Sequence, residues 1–260
     1  MVAFTEEMVD VGGAKVHTLK GGSGEPLLLL HGAEGNSGWL RFADALAEKY
    51  TVYYPSHPGY GKSDRPDWLE TIPDMACFYT WYLETLGLEG IRTIGFAMGG
   101  WIATEIAAMC NHSFSKLMLV GAAGIKPNVA EITDIFIISP AQVLELMFHD
   151  SNQAPEYQAV YGREFTPDEL MDAESNREMA VRLCWKSYMY DRRLSSLLQR
   201  VKIPTRMVWG RNDAIVPLEC GELFKKAING SDLVVIDNCG HSPQVEKPEE
   251  FIKTTLDFLA

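Results

Sequence analysis

Short apolar runs alternate along the chain with longer stretches in which apolar residues recur every three or four positions. The run PLLLLH is apolar without alternation, as expected for a strand that is covered on both faces. The pattern predicts strands at Lys15–Leu19, Pro26–His31, Thr51–Tyr54, Ile91–Phe96, Lys116–Val120, Thr205–Trp209 and Leu233–Ile236. It predicts helices at Leu40–Lys49, Ile72–Leu86, Gly99–Cys110, Leu218–Ile228 and Pro248–Leu259.

This alternation of strands and helices predicts an α/β fold with a mostly parallel sheet and helices on both faces. One region departs from it. Between about Lys126 and Val201 only helical periodicity is visible, in AEITDIFII, PAQVLELMFHD and TPDELMDAESNREMAVRLCWKSYMY. A helical insertion of this size is typical of a cap, or lid, on an α/β domain. We therefore predict a core of residues 1–125 and 202–260 and a helical cap of residues 126–201.

The predicted cap is rich in methionine and aromatic side chains. Most of them are expected to form the cap's own core and its seat on the main domain, and a few are expected to line an apolar pocket. The candidates are Met147, Phe148, Tyr157, Tyr161, Phe165, Met179, Trp185, Tyr188, Met189 and Tyr190.

Composition and charge narrow the classes of partner. Of the 260 residues, 47% are hydrophobic and 22% are charged, and the formal net charge is -12. An acidic surface disfavours nucleic acids and anionic membranes as partners, but it does not disfavour a small neutral molecule. The N-terminus lacks the pattern of a signal peptide and no apolar run approaches the ~20 residues of a membrane span, so a cytoplasmic location is expected.

The five cysteines are scattered and show no C-x-x-C spacing. We expect free buried thiols in a reducing compartment, with neither a disulfide framework nor a zinc site. Because no phosphate-cradling or metal-ligand motif appears, we expect no metal and no organic cofactor. The sequence does not indicate an oligomeric state.

The sequence GFAMG, which spans Gly95 to Gly99, is the pattern G-x-S-x-G with alanine at the central position. A nucleophile on a tight strand-to-helix turn crowds its neighbours, so small residues are needed two positions before and two positions after it. The placement of this stretch between a predicted strand and a predicted helix strengthens the interpretation. The helix would direct its N-terminal amides and the positive end of its dipole at the site.

Two further strand ends carry an acid and a base. Asp213, in MVWGRNDAIVP, enters a loop after a predicted strand, where a carboxylate can orient an imidazole; an Asx turn or a helix cap explains it equally well. His241, in NCGHSPQVEKPEEF, lies in a loop before the last helix, and a histidine with a pKa near neutrality is a natural proton shuttle. His31 follows another strand and is interpreted as a structural residue. Ordinary surface or core roles are expected for the other histidines, His17, His57, His112 and His149.

The order of elbow, acid and histidine along the chain resembles that of the α/β-hydrolase superfamily. The matching pieces are LLLLHGAEGNSGW, YPSHPGYGKSD, IGFAMGGWIA, VWGRNDAIVP and NCGHSPQVEKPEEF, spread over nearly the whole length. The resemblance implies an α/β-hydrolase fold with a serine-hydrolase site, in which Ala97 occupies the nucleophile position, Asp213 is the acid and His241 is the base. It also implies an oxyanion hole formed by the backbone N–H groups of Ala33 and Met98.

The chain departs from the family pattern at two places. Ser56 stands where the family often has Asp, which we interpret as structural drift. Ala97 cannot attack a carbonyl, and three explanations compete: an engineered knockout of a serine enzyme, a natural member that became a binding protein, or a parent with an Asp nucleophile. The sequence A-M-G-G resembles the S-M-G-G of serine members, and drift would be expected to relax the strained position to glycine and to lose a matching His–Asp pair. We therefore favour the inactivated serine hydrolase.

The predicted reaction is acyl transfer to a serine at position 97, with a small, largely apolar carboxylic ester bound between cap and core. The nearest enzymatic alternative is hydrolysis of a C–C bond in a ring-cleavage diketone acid. Such hydrolases often have an H-G-G-G-P-G loop, Asn before the nucleophile and Trp after the histidine, where this chain has Ala33 and Glu34, Phe96 and Ser242. Arg182, Arg192 and Arg193 are candidates for binding a substrate carboxylate, but such residues are more often solvated or paired on the surface. A naturally non-catalytic ligand-binding member is the remaining alternative.

Overall fold

A single sheet is the framework of the computed structural model, which describes residues 2–260. Its strands are β1 (Phe4–Val11), β2 (Ala14–Gly21), β3 (Glu25–Leu30), β4 (Tyr50–Pro55), β5 (Ile91–Phe96), β6 (Phe114–Val120), β7 (Thr205–Gly210) and β8 (Asp232–Ile236). They lie in the order β1-β2-β4-β3-β5-β6-β7-β8. The β1–β2 and β2–β4 pairs are antiparallel and all other pairs are parallel. The predicted mostly parallel sheet is confirmed.

The helices are α1 (Arg41–Ala47), α2 (Ile72–Leu86), α3 (Met98–Met109), α4 (Pro140–Met147), α5 (Tyr157–Val160), α6 (Pro167–Cys184), α7 (Leu194–Leu197), α8 (Leu218–Ala227), α9 (Pro243–Glu246) and α10 (Pro248–Leu259). Short 3₁₀ turns occur at Ser151–Gln153 and Leu198–Arg200. Local sequence explains the ends of α2. Thr71 and Asp74 form a reciprocal capping box at its start, and Gly87 ends it in the left-handed conformation.

The leucine run of β3 shows why the sheet is covered on both faces. Leu28 and Leu30 pack in a cluster with the apolar residues of α2 and α3. Leu27 and Leu29 pack in a second cluster with α1 and α10. Successive side chains of a strand point to opposite faces, so an unbroken apolar run requires a helical layer on each side.

Strand β1 was not predicted, because its pattern is that of an exposed edge. Most of its residues are exposed, and it carries Glu6 and Glu7 between its apolar positions. The signal that could have revealed it is the Gly12-Gly13 pair, which makes the tight hairpin turn into β2.

Residues 121–204, between β6 and β7, contain helices and loops but no strand, apart from an isolated bridge between Gly124 and Tyr190. This agrees with the predicted helical insertion, although its division from the core as a separate domain stays a prediction. The helix predicted in AEITDIFII, residues 130–138, is wrong. The N–H of Thr133 bonds to the carbonyl of Ile215, and the N–H of Ile135 bonds to the hydroxyl of Tyr188. These distant partners replace the bonds of a helix.

Between residues 2 and 260 no helix combines the length and the apolar character needed to cross a bilayer. All five cysteines are free thiols, three of them buried. The cytoplasmic location stays a prediction.

Candidate active site

The predicted site residues gather at the edge of the sheet where the parallel strands end. Ala33 follows β3, Ala97 follows β5, Asp213 lies in the loop after β7 and His241 lies in the loop after β8. Ala33, Ala97 and His241 line one cavity, and the Asp213 side chain is fully enclosed beside His241. The structure therefore brings together residues that lie far apart in the sequence.

Ala97 occupies a sharp turn between β5 and α3. Its backbone has φ 45° and ψ −112°, a sparsely populated positive-φ conformation that costs a non-glycine residue on the order of 1–3 kcal/mol. The turn is held on both sides: the Ala97 N–H donates to the Val120 carbonyl at 2.9 Å, and the Ala97 carbonyl accepts from the Gly100 N–H at 3.1 Å. A Cβ on Gly95 would lie 2.5 Å from the carbonyl oxygen of Gly99, so the first glycine of the motif is sterically required.

His241 and Asp213 form a hydrogen-bonded pair, with 2.8 Å between His241 Nδ1 and Asp213 Oδ2. The other carboxylate oxygen, Oδ1, accepts from the N–H groups of Ile215 and Val216 at 2.9 Å each. Asp213 therefore has both of the roles that its sequence position suggests. Its Oδ1 stabilises the local turn, and its Oδ2 contacts His241. Because a carboxylate accepts at Nδ1, that nitrogen is assigned the proton, and Nε2 is left as the acceptor.

The electrostatic setting of His241 favours its protonated form. Burial by itself lowers the pKa of His241, but the charge and hydrogen bond of Asp213, together with the charge of Glu34, outweigh it and raise the pKa above its usual value. The backbone N–H of His241 donates to the Met147 carbonyl at 2.7 Å, which ties the histidine loop to the end of α4. The imidazole is therefore positioned and ready to accept a proton.

The two N–H groups predicted as oxyanion donors have no hydrogen-bond acceptor among the described residues. Within residues 2–260 neither the Ala33 N–H nor the Met98 N–H takes part in a hydrogen bond to another residue. Met98 is the first residue of α3, where backbone amides lack partners within the helix. Ala33 lines the cavity, whereas Met98 is fully buried, and the catalytic role of both N–H groups stays a prediction.

His31 holds the loop that carries Ala33, in a pairing with His57 that the sequence did not indicate. His31 Nδ1 lies 2.7 Å from the Gly32 carbonyl, and His31 Nε2 accepts the His57 N–H at 2.8 Å. His57 Nε2 in turn lies 2.9 Å from the His31 carbonyl, and its Nδ1 lies 2.5 Å from the Tyr79 hydroxyl. Burial lowers the pKa of His31 to about 3 and lowers that of His57 well below its usual value. Both rings are therefore neutral structural groups.

A cavity of about 820 Å³ opens beside Ala97. Its walls are mainly apolar side chains of the inserted segment and the loop after β3. Among the methionine and aromatic residues considered for a pocket, those that line it are Met147, Tyr161, Phe165 and Met189. The size and lining suit a small, largely apolar molecule.

The three candidate arginines have the surface positions that are more usual for such residues. Arg182, Arg192 and Arg193 are exposed and do not line the cavity, and Arg193 pairs with Asp191. The periodicity of the sequence does not indicate which face of the helical segment is directed toward the cavity.

The arginines that do line the cavity are Arg163 and Arg177. Arg163 forms an ion pair with Glu169, which satisfies its charge. Arg177 is half-buried and donates only to the backbone carbonyls of Phe136 and Ile138. Arg177 is therefore the cavity cation that no described carboxylate neutralises.

Glu34 is a second cavity residue to which sequence reasoning assigned no role. Its side chain is exposed to the cavity and otherwise enclosed by protein, and this enclosure raises the pKa of its carboxyl group. Its position directly after Ala33 was the available signal.

Comparison with known proteins agrees with this geometry. The family model described as alpha/beta hydrolase fold matches residues 25–248. The chain belongs to this family, and the predicted fold and superfamily are confirmed.

Curated relatives lie among hydrolases of ring-cleavage products. The chain is 26% identical to the 2-hydroxy-6-oxo-6-(2'-aminophenyl)hexa-2,4-dienoic acid hydrolase of Metapseudomonas resinovorans, over 99% of this chain and 92% of that protein. It is 30% identical to the 2-hydroxy-6-oxononadienedioate/2-hydroxy-6-oxononatrienedioate hydrolase of Paraburkholderia phymatum, over 99% of this chain and 96% of that protein. These two relatives are named as hydrolases of 2-hydroxy-6-oxo acids, and not as the carboxylesterases that the sequence analysis favoured.

A solved structure with a similar fold is that of a membrane phospholipase A described as a bacterial virulence factor. It matches with a TM-score of 0.82 at 25% sequence identity, over 98% of this chain and 86% of that chain. The same fold therefore carries ester cleavage in a protein of comparable similarity.

Proposed function

We propose that this chain is the alanine form of a serine hydrolase that cleaves the C–C bond beside the 6-oxo group of a 2-hydroxy-6-oxo-dienoic acid. The observation that carries the proposal is the His241–Asp213 pair beside a strained alanine at the elbow. A left-handed backbone at a non-glycine residue has a physical reason if the parent residue is a nucleophile aimed into the cavity. The C–C bond hydrolases among the relatives supply the reaction class.

The first half of the reaction uses the pair directly. A serine Oγ at position 97 adds to the 6-oxo carbon while His241 Nε2 takes the hydroxyl proton. Asp213 holds the Nδ1 proton and stabilises the imidazolium. The negative charge that develops on the carbonyl oxygen is accepted by the N–H groups of Ala33 and Met98, and each such donor contributes roughly 3–4 kcal/mol of transition-state stabilisation in comparable sites.

Breaking the C–C bond requires an electron sink on the leaving side. In the 2-hydroxy-diene form, C5 is an alkene carbon and cannot hold the electron pair. Transfer of the 2-hydroxyl proton to C5 gives the 2,6-dioxo form, in which the pair released on C5–C6 cleavage passes through the C3=C4 bond to the 2-oxo group. The leaving dienolate takes the proton from the His241 imidazolium, which returns the imidazole to its neutral form. Water then attacks the acyl group on the serine with His241 as the base, and the carboxylic acid leaves as His241 returns the proton to the serine Oγ.

Arg177 is the candidate residue for binding the carboxylate end of such a substrate. The substrate class carries a carboxylate next to C2, and an arginine with unused donors is suited to bind it. Because Arg177 is half-buried among apolar residues of the cavity wall, an ion pair there is less screened by water than one on the surface.

Ester cleavage is the second candidate, and one observation favours it. The phospholipase structure is as similar in fold and identity as the C–C bond hydrolases, and the same elbow, base and oxyanion donors serve both reactions. An ester needs no electron sink beyond its leaving oxygen, so the choice of bond depends on the substrate bound in the cavity.

The test compares the chain with its Ala97→Ser variant and with the double variant Ala97→Ser/His241→Ala. The substrates are 2-hydroxy-6-oxo-6-phenylhexa-2,4-dienoate, followed by loss of its dienol absorbance, and p-nitrophenyl butyrate. We expect Ala97→Ser to raise the rate on the dienoate by at least about 1,000-fold, and His241→Ala to remove that gain.

The alternatives give different results. Cleavage of the butyrate alone by Ala97→Ser would favour the ester hydrolase. A folded Ala97→Ser variant that cleaves neither substrate, although the original chain binds a small molecule tightly, would identify a non-catalytic binding protein.

A further inference from the structure

Glu34 presents a carboxyl group beside the predicted oxyanion donors. Its side chain folds over the neighbouring backbone, because a Cβ on Gly32 would lie 2.5 Å from Glu34 Oε2. Glu34 lines the same cavity as Ala97 and His241 and is exposed there. Any substrate group next to the reacting carbonyl on this side must approach the carboxyl group.

The charge of Glu34 is not neutralised by an ion pair within residues 2–260. Arg163 pairs with Glu169, and His241 pairs with Asp213. Enclosure in the cavity raises the pKa of the Glu34 carboxyl, while the Glu34 backbone N–H and the charge of His241 oppose that rise. An anion placed beside Glu34 would therefore meet a negative charge with no cation in direct contact.

Two successive residues of α6 bond to different segments around the cavity. The Asn176 side chain donates to the Glu34 carbonyl at 3.2 Å and accepts the Gly61 N–H at 3.1 Å. This position of α6 therefore contacts the loop after β3 that carries Ala33 and Glu34, the oxyanion loop. The next residue, Arg177, turns away and donates to Phe136 and Ile138 in the loop before α4. The carboxyl and the guanidinium are thus held against different walls of the cavity.

The described residues whose charge or titration is coupled to Glu34 are tyrosines and His241, and no described lysine or arginine forms an ion pair with it. Burial raises the pKa of Tyr161 and of Tyr54, and the charge of Glu34 adds to the rise in both. Tyr161 lines the cavity, and so do Asn36 and Ser37 in the loop that carries Glu34. This wall can accept neutral groups and cannot compensate a second anion.

We infer that Glu34 selects the acyl group of the substrate: it rejects an acyl chain that ends in a carboxylate and admits a neutral one. Rejection by a like charge is a direct way to separate substrates that share all other groups. The inference deepens the proposed function, because a carboxylate bound by Arg177 directs the acyl end to Glu34. It holds equally for esters, since it concerns the acyl group and not the bond that breaks.

The first test measures binding to the original Ala97 chain, in which the substrate stays intact. The probes are 2-hydroxy-6-oxo-6-phenylhexa-2,4-dienoate, with a neutral acyl end, and 2-hydroxy-6-oxononadienedioate, with an acidic one. At about pH 8 we expect calorimetry to give a Kd at least about tenfold weaker for the dioate. Glu34→Gln should lower the Kd of the dioate about tenfold and should change the Kd of the phenyl compound less than about twofold.

Glu174→Gln is the matched control, because Glu174 is another exposed acid that lines the cavity. It should change the Kd of the dioate less than Glu34→Gln does, since Glu174 lies on α6 and does not follow a predicted oxyanion donor as Glu34 does. An equal effect of the two variants would mean that the general negative charge of the cavity, and not Glu34, sets the preference.

The second test does not depend on C–C cleavage. In the Ala97→Ser background, kcat/KM is compared for p-nitrophenyl butyrate and for the p-nitrophenyl monoester of succinic acid. Glu34→Gln should raise the succinate-to-butyrate ratio about tenfold. If the dienoates do not bind but this ratio shifts, the proposed C–C reaction fails and the Glu34 inference stands. If Glu34→Gln shifts neither the binding ratio nor the kinetic ratio, the inference is overturned.

Discussion

Gly99 packs directly against the backbone of Leu30, so that a Cβ at position 99 would lie 2.1 Å from the Leu30 carbonyl oxygen. The start of α3 is thereby pressed onto the end of β3. This contact fixes the elbow at Ala97 relative to the loop that carries Ala33. The distance between the two predicted oxyanion donors therefore depends on a residue with no side chain.

The contact predicts a large effect of Gly99→Ala. We expect the free energy of unfolding to fall by about 3 kcal/mol or more, because backbone atoms cannot move aside as a flexible side chain can. Chemical denaturation measures the loss.

Gly230→Ala is the control for backbone conformation. Gly230 has φ +78° and open space around it, so alanine there meets no clash and costs only the left-handed strain, about 1 kcal/mol. Equal losses in the two variants would contradict the close contact between Gly99 and Leu30.

The strain at position 97 predicts that Ala97→Gly does not weaken the fold as a buried Ala→Gly change ordinarily does. Glycine adopts φ 45° readily, and relief of strain should offset its larger loss of chain entropy, with a net gain of about 1 kcal/mol in the free energy of unfolding. Ala107→Gly is the matched control in the middle of α3, where a loss of about 1 kcal/mol is expected. Thermal and denaturant unfolding of both variants tests the difference; equal losses would mean that the elbow is unstrained.

The contact with Asp213 is expected to set the pH at which His241 titrates. Because Asp213 raises the pKa of His241 while burial lowers it, Asp213→Asn should shift the midpoint of the His241 imidazole signal, followed by NMR, to lower pH. Nothing in this measurement requires activity, so the Ala97 chain can be used. An unchanged midpoint would show that Asp213 does not control the imidazole.

The same pair predicts how stability depends on pH. A histidine whose folded pKa lies above its unfolded value contributes stability below the unfolded pKa, and that contribution is lost as pH rises through the folded pKa. The destabilisation caused by Asp213→Asn should therefore be largest below about pH 6.5 and shrink in alkaline solution. Denaturation curves at acidic and alkaline pH measure it, and a loss that grows toward alkaline pH would contradict the assigned direction.

Replacing Arg177 is expected to weaken the binding of substrates that carry a carboxylate and to spare neutral substrates. In the Ala97→Ser background, Arg177→Gln should raise KM for 2-hydroxy-6-oxo-6-phenylhexa-2,4-dienoate about tenfold or more and change KM for p-nitrophenyl butyrate little, since the butyrate carries no carboxylate. Arg163→Gln is the control, because Arg163 already pairs with Glu169. Equal losses on both substrates would assign Arg177 a purely structural role through its bonds to Phe136 and Ile138.

The sequence by itself determined the fold and the positions of the candidate site residues. Unbroken apolar runs such as PLLLLH and helical periods between them specify a parallel sheet with two helical layers, because periodicity is a local property of the chain. Glycines around Ala97, and strand-end positions for Asp213 and His241, were equally readable. The C-terminal ends of parallel strands meet at one edge whatever the loops between them contain.

Only the tertiary structure decided which polar groups face the cavity. Arg177 and Arg182 lie on the same helix, and nothing in their local sequence shows that Arg177 looks inward while Arg182 is exposed. The charge that Glu34 presents, and the pairing of His31 with His57, depend on contacts between segments distant in the chain. Substrate preference arises from such contacts, which are set by packing and not by the local pattern of residues.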